Sequence, residues 1–195
     1  MESTISSLHD EQALVIRAKA DPSAFAELYD HYFPRIYRYA LYRLQDAQAA
    51  DDITAQVFEK TLANIHQYRP ARGSFGAWIF AIARNTINKH LRARKVRRWV
   101  SLDAVTHQLV ENSLSVEEIV AQNERLTRLM PLIKELDDRE RDLLALKFGA
   151  GLTNRRIAQL TGLTESNVGV ILYRTLHHLR EQLGEEEGYE EGHEF

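Results

Sequence analysis

Cysteine is absent from the 195 residues, which excludes a disulfide framework, a thiolate zinc site and a cysteine nucleophile and suits a reducing, cytoplasmic setting. No run of about 18 apolar residues occurs, so no membrane-spanning helix is expected. The opening MESTISSLHDEQ lacks a basic stretch followed by an apolar one, and no signal peptide is expected. Strand-like alternation is missing over any useful length. Also missing are a phosphate-cradling glycine loop, an HExxH and a GxSxG, so nothing argues for an enzyme and no cofactor is expected. Asp51 and Asp52 have no histidine at ligand spacing, and they, like His177 and His178, are helix neighbours pointing about 100° apart. No metal site is expected.

Acid is missing from one long interval. Between Glu59 and Asp103 there is no Asp or Glu, but there are ten Lys and Arg. The last twelve residues, GEEEGYEEGHEF, are the reverse, with six glutamates and no Lys or Arg. Without those six, the formal charge of −3 becomes +3. The whole-chain charge therefore conceals a basic patch and an acidic tail.

Where apolar residues occur, they recur at helical spacing, and a 44% hydrophobic content is enough for real cores. A long helix is expected from Asp21-Pro22, with Asp as cap and Pro in the first turn, and Pro34 is a place for it to kink or split. A second runs from Ala47 to Ile65. After the turn Tyr68 to Gly73, a third places Phe75, Trp78, Ile79, Ile82, Ala83, Ile87 and Leu91 on one face. These pack as one helical domain over residues 10–98. Residues 99–115 read as a linker. Residues 116–183 form a second domain, opened by a Ser115–Glu118 capping box, with another at Asp137–Glu140. Residues 184–195 are an acidic tail too poor in apolar residues to fold alone. The expected fold is all-α: two small helical domains, the C-terminal one a helix-turn-helix.

Three constellations carry function. Thr153 to Leu160, a Thr161-Gly162-Leu163 turn and a helix from Thr164 have helix-turn-helix spacing. Ile157, Ala158, Leu163, Val168 and Leu172 would join the two helices, and Ser166, Gly169, Val170, Tyr173, Arg174 and His177 would face a major groove. On spacing alone an ordinary helical hairpin remains open. The second constellation is Arg84, Lys89, Arg92, Arg94, Lys95, Arg97 and Arg98, near Arg69 and Arg72, which suits a phosphate backbone. Phe75 and Trp78 fall on the core stripe, whereas Tyr68, in the turn, is the better candidate for stacking on an unpaired base. The third, Ala50 to Glu59, is by composition only an amphipathic helix with an acidic start.

In this order the blocks ADDITAQVF (50–58), GSFGAWIFAIARNTINKHLR (73–92) and residues 136–180 resemble the sigma-70 family of RNA polymerase sigma factors, in its extracytoplasmic-function group. The resemblance implies a non-enzymatic subunit that binds core RNA polymerase and directs promoter recognition, melting and initiation. Asp51, Asp52, Gln56 and Phe58 would dock on the polymerase. Tyr68, Arg69, Arg72, Arg84, Asn85, Asn88, Lys89 and Arg92 would hold the melted −10 strand, with a flipped base near the Tyr68 turn. Arg155, Arg156, Ser166, Asn167, Val170, Tyr173, Arg174 and His177 would meet the duplex −35 element. The linker would lie in the polymerase's RNA-exit region, and many members are held by an anti-sigma factor. Three positions depart from the family: Ala55 stands where it often has Gln, and Gly169 and Ile171 where many members carry basic residues. The alternatives are a helix-turn-helix regulator whose first half senses a ligand or dimerises, and a helical protein-interaction bundle. The first leaves the Trp78–Arg98 block unexplained, and the acid-free interval argues against the second.

Overall fold

A computed structural model describes the backbone of residues 8–100 and 124–190, and the side chains of residues 11–97 and 129–184. Every regular element among them is helical. The helices are α1 (Leu8–Ala20), α2 (Phe25–Leu44), α3 (Ala47–Asn64), α4 (Phe75–Val100), α5 (Glu124–Glu135), α6 (Asp138–Leu144), α7 (Asn154–Thr161) and α8 (Glu165–Glu190). Residues 101–115 of the expected linker and the Ser115–Glu118 box lie outside the described residues.

Polar side chains start these helices where orphan backbone donors need them. Asp21 accepts from Ser23 N at 2.8 Å and opens a short 3-10 turn, Pro22–Ala24, that leads into α2. Asp46 accepts from Ala49 N at 3.0 Å. Asp137 accepts from the N–H groups of Arg139 and Glu140, and Glu140 returns a bond to Asp137 N. Pro34 lies inside α2, which continues through it to Leu44. α6 widens into a π turn, Ala145–Gly149, closed by Ala150 N bonding to Ala145 O at 2.9 Å.

In the first unit α2, α3 and α4 bury one another's stripes, with Tyr32, Ile36, Tyr39, Ile53, Phe75, Phe80 and Ile87 almost wholly covered. The N-terminal helix α1, outside the three expected, adds Leu14, Val15 and Ala18 to this core. In the second, Ile133, Leu143, Ile157, Val168 and Leu172 form the interior. The two units are in contact. A Cβ on Gly149 would come within 3.0 Å of the Arg38 and Tyr39 backbone, so the π turn sits directly against α2.

Candidate nucleic-acid interface

The helix-turn-helix is the most local of the three surfaces. Thr153 caps α7 through Arg156 N. Gly162 ends it at φ 78°, a left-handed position that suits glycine. Thr164 then accepts from Asn167 N at 3.2 Å to start α8. Ile157 and Val168 are fully buried between the helices and Leu172 nearly so. Ser166, Asn167, Val170, Tyr173, Arg174 and His177 all lie exposed on α8, as does Arg155 on α7; Arg156 is half-buried. Gly169 is half-buried too, near Asn154 rather than fully outward. Tyr173 is 71% exposed and Val170 44%, an apolar pair on an otherwise polar face. His177 pairs with Glu181 at 3.3 Å, one turn along. α8 continues to Glu190 instead of stopping near Leu183, since glutamate extends a helix readily once one exists.

On α4, Asn85, Lys89 and Arg92 stand exposed at helical-neighbour spacing, with Asn88 half-buried among them. The turn preceding α4 holds Arg69 and Arg72 out to solvent. Arg69 also bonds the carbonyls of His66 and Tyr68. Gly73 closes this turn at φ 139°, ψ 177°, a region essentially restricted to glycine.

Two residues of this face do not stand open to solvent. Tyr68 is not an open stacking platform: it is 2% exposed. Its ring packs on Phe75 and Trp78 at 5.4 and 5.7 Å, and its hydroxyl donates to the Gly73 carbonyl at 2.9 Å. Lys19 closes over it from α1, donating to the Tyr68 carbonyl at 2.9 Å, and burial pushes the phenol pKa up. Arg84 does not stand free either. Its Nε donates to Asp142 Oδ2 at 2.9 Å and its Nη1 to the Leu160 carbonyl at 3.0 Å, both in the second unit.

On α3, Asp51, Asp52 and Gln56 are exposed. Phe58 is not: 5% exposed, it meets Tyr29 at 4.5 Å and Phe25 at 6.3 Å. Phe58 therefore backs this surface instead of forming it. The apolar groups that do reach solvent nearby are Tyr29, stacked on Phe33, and Leu62. Tyr29 and Leu62 recur at helical spacing with the core residues of α2 and α3, yet both reach solvent; only packing distinguishes the rim from the core.

Among the described residues no group of His, Asp or Glu gathers at metal-binding geometry, and no helix is long and apolar enough to cross a membrane.

Family models match the chain twice: sigma-70 region 2 over residues 28–97 and sigma-70 region 4 over residues 132–181. Among curated relatives, the ECF RNA polymerase sigma factor RpoE of Cereibacter sphaeroides is 31% identical over 86% of this chain and 91% of its own length. The ECF RNA polymerase sigma factor BldN of Streptomyces coelicolor is 29% identical over 85% of this chain, which spans 63% of that relative's length. Two solved structures share the fold, each with TM-score 0.65 and 18% identity: CnrH in complex with the cytosolic domain of CnrY, covering 89% of this chain and 97% of that one, and the sigma factor RpoE with the anti-sigma factor NepR from Bartonella quintana, covering 82% and 96%.

Proposed function

This chain belongs to the extracytoplasmic-function group of the sigma-70 family, and from that premise we propose that it binds core RNA polymerase and directs promoter recognition, strand opening and initiation, with its named residues dividing the work. Residues 10–98 act as region 2 and residues 116–183 as region 4. Residues 99–115 join them through the polymerase's RNA-exit region, and 184–195 form the tail. The observation that carries the reading is the pairing, on one chain, of a basic, acid-poor α4 with a separately capped helix-turn-helix.

The α3 surface of Asp51, Asp52 and Gln56, rimmed by Tyr29 and Leu62 and backed by Phe58, docks on the polymerase. Arg69, Arg72, Asn85, Asn88, Lys89 and Arg92, joined by Arg84 when it is released, hold the separated −10 strand. Their charge meets phosphates and their amides reach base edges. Tyr68 acts beneath this face by fixing the turn. In α8, Ser166, Asn167, Val170, Tyr173, Arg174 and His177 face the −35 major groove. Arg155 and Arg156, in the preceding helix, take phosphates. The protein works in the cytoplasm, where the polymerase is, and the same polymerase-facing surfaces suit an anti-sigma factor.

Run-off transcription with purified core polymerase on a library of linear promoter templates tests this. Specific transcripts that need both proteins are expected. Duplex binding by the chain alone, with no affinity for core polymerase, would instead establish the helix-turn-helix regulator.

A further inference from the structure

The inward side of α8 is set by its period. Val168, Leu172, Thr175 and Leu179 are buried at spacings of three and four residues and pack the helix into the second unit. Val170 follows Val168 by two residues, about 200° round the helix, and so points away from that interior. Tyr173, three residues further on, shares its face and is more exposed still. Among the described residues of the second unit, Phe148 is the only other large apolar side chain that stands open. Neither core packing nor helix formation asks for valine at 170, since its branched Cβ makes it a poorer helix former than alanine.

The groups around this apolar pair are those of an edge that reads a duplex. Ser166 and Asn167 stand exposed about one turn before Val170, Arg174 about one turn after it, and Arg155 on α7. Cations on either side suit the phosphates that flank a groove. Gly169, beside Val170, carries no side chain to shield the valine, and a Cβ there would already touch Asn154 Nδ2 at 3.7 Å. The Tyr173 ring lies 6.4 Å from the His177 ring, centroid to centroid. His177 Nδ1 in turn pairs with Glu181 at 3.3 Å. The imidazole is thereby drawn along the helix, away from the N-terminal turns whose residues contact base edges, and supports the Tyr173 ring from behind.

Base edges in a major groove offer few kinds of surface. Guanine presents N7 and O6, adenine N7 and an amine, cytosine an amine, and thymine O4 with a C5 methyl group. Set against the purine groups or the cytosine amine, Val170 would strip water from a polar atom and return no hydrogen bond, which is unfavourable. The thymine methyl alone gains from such a neighbour. Resting on the assignment of α8 to the −35 duplex, we propose that Val170 reads one thymine of that element through its C5 methyl group, with the Tyr173 ring closing the contact to water. Asn167 and Arg174, about 4.5 and 6 Å from it along the helix axis, hydrogen-bond to neighbouring positions. The valine discriminates by what it rejects as much as by what it accepts.

Deoxyuridine pairs as thymine does and lacks only the methyl group, so it isolates this contact. The most active linear promoter from the template library is prepared with each −35 thymine, on either strand, replaced singly by deoxyuridine. Each duplex is then titrated with core polymerase carrying the full chain. One replacement should weaken binding about fourfold, the worth of one buried methyl group. Val170→Ala should bind the unmodified promoter about fourfold more weakly and lose nothing further when deoxyuridine stands at that position. Its thermal melting and its affinity for core polymerase should match the parent's, because the side chain is exposed. An element in which no thymine responds overturns methyl recognition. A response undiminished in folded Val170→Ala overturns the part assigned to Val170. Weaker core-polymerase binding by that variant, with no deoxyuridine response in the parent, makes the apolar pair a protein contact and overturns the proposal. Specific transcripts that ignore the −35 sequence altogether overturn the assignment of α8 beneath it, and the proposal with it.

Discussion

Lys19 reaches from α1 to cap the Tyr68 carbonyl, and behind it the phenol bridges to Gly73, so this one ring sets the shape of the turn that carries Arg69 and Arg72. Tyr68→Phe removes only the hydroxyl and should cost about 1 kcal/mol of stability, with strand binding nearly kept. Tyr68→Ala should cost about 3–5 kcal/mol and weaken strand binding as the turn collapses; urea unfolding and strand titration measure both. The turn and its arginines were legible from local chemistry, but the burial of Tyr68 was not. It depends on Lys19, 49 residues away, on a helix the spacing did not announce. Asp138 adds a pH dependence. The hydrogen bond from Arg43 holds its carboxyl below the usual value of 3.8. Because the folded pKa is depressed, its contribution is present above that value and is lost as pH falls through the range below it. Acid titration from about pH 5 downward should therefore destabilise the parent more steeply than Asp138→Asn; equal slopes would mean that the Arg43–Asp138 pair contributes nothing to the contact between the units.

At the scale of elements, what could be read was what neighbouring residues enforce. The Asp137–Glu140 box needs only residues within one turn, and it forms as expected. Gly162 likewise ends α7. The first helix escaped notice because its pattern runs against its environment. Ile16 is 63% exposed while Glu11 is 7% exposed, its carboxylate taking the Tyr32 hydroxyl's hydrogen bond. An inward acid and an outward isoleucine blur the 3.6-residue period by which helices are recognised. The caps allow a sharp prediction. Asp137→Ala should lower stability by about 1 kcal/mol, and since α6 also carries Asp138 and Asp142, the same change should loosen the contact between units. Calorimetry together with small-angle scattering reads the two effects; a lowered melting temperature with an unaltered radius of gyration would mean that α6 keeps its register without the box.

For the whole molecule, the acid-free interval acquires a second meaning. The basic character of α4 was plain in the sequence, but one of its cations finds its carboxylate in Asp142, 58 residues later. Tyr39 and Arg43 lie about a hundred residues from the same group. No periodicity or cap spans such distances, so the two units were legible and their embrace was not. The embrace also rests on shape, and Gly149 separates shape from charge. Its position admits the Arg38 and Tyr39 backbone so closely that a Cβ would sit 3.0 Å from three of their atoms, and backbone cannot swing aside as a side chain does. Its own φ is not among the positive values, so alanine is locally acceptable there and favours helix over glycine by about 1 kcal/mol. Gly149→Ala should leave the second unit at least as stable while forcing α2 and the π turn apart, with every ionic partner still present. Small-angle scattering should then show a larger radius of gyration at low and high salt alike. If the dimensions stay those of the parent, close backbone approach is not what holds the units together, and the ion network alone must account for it.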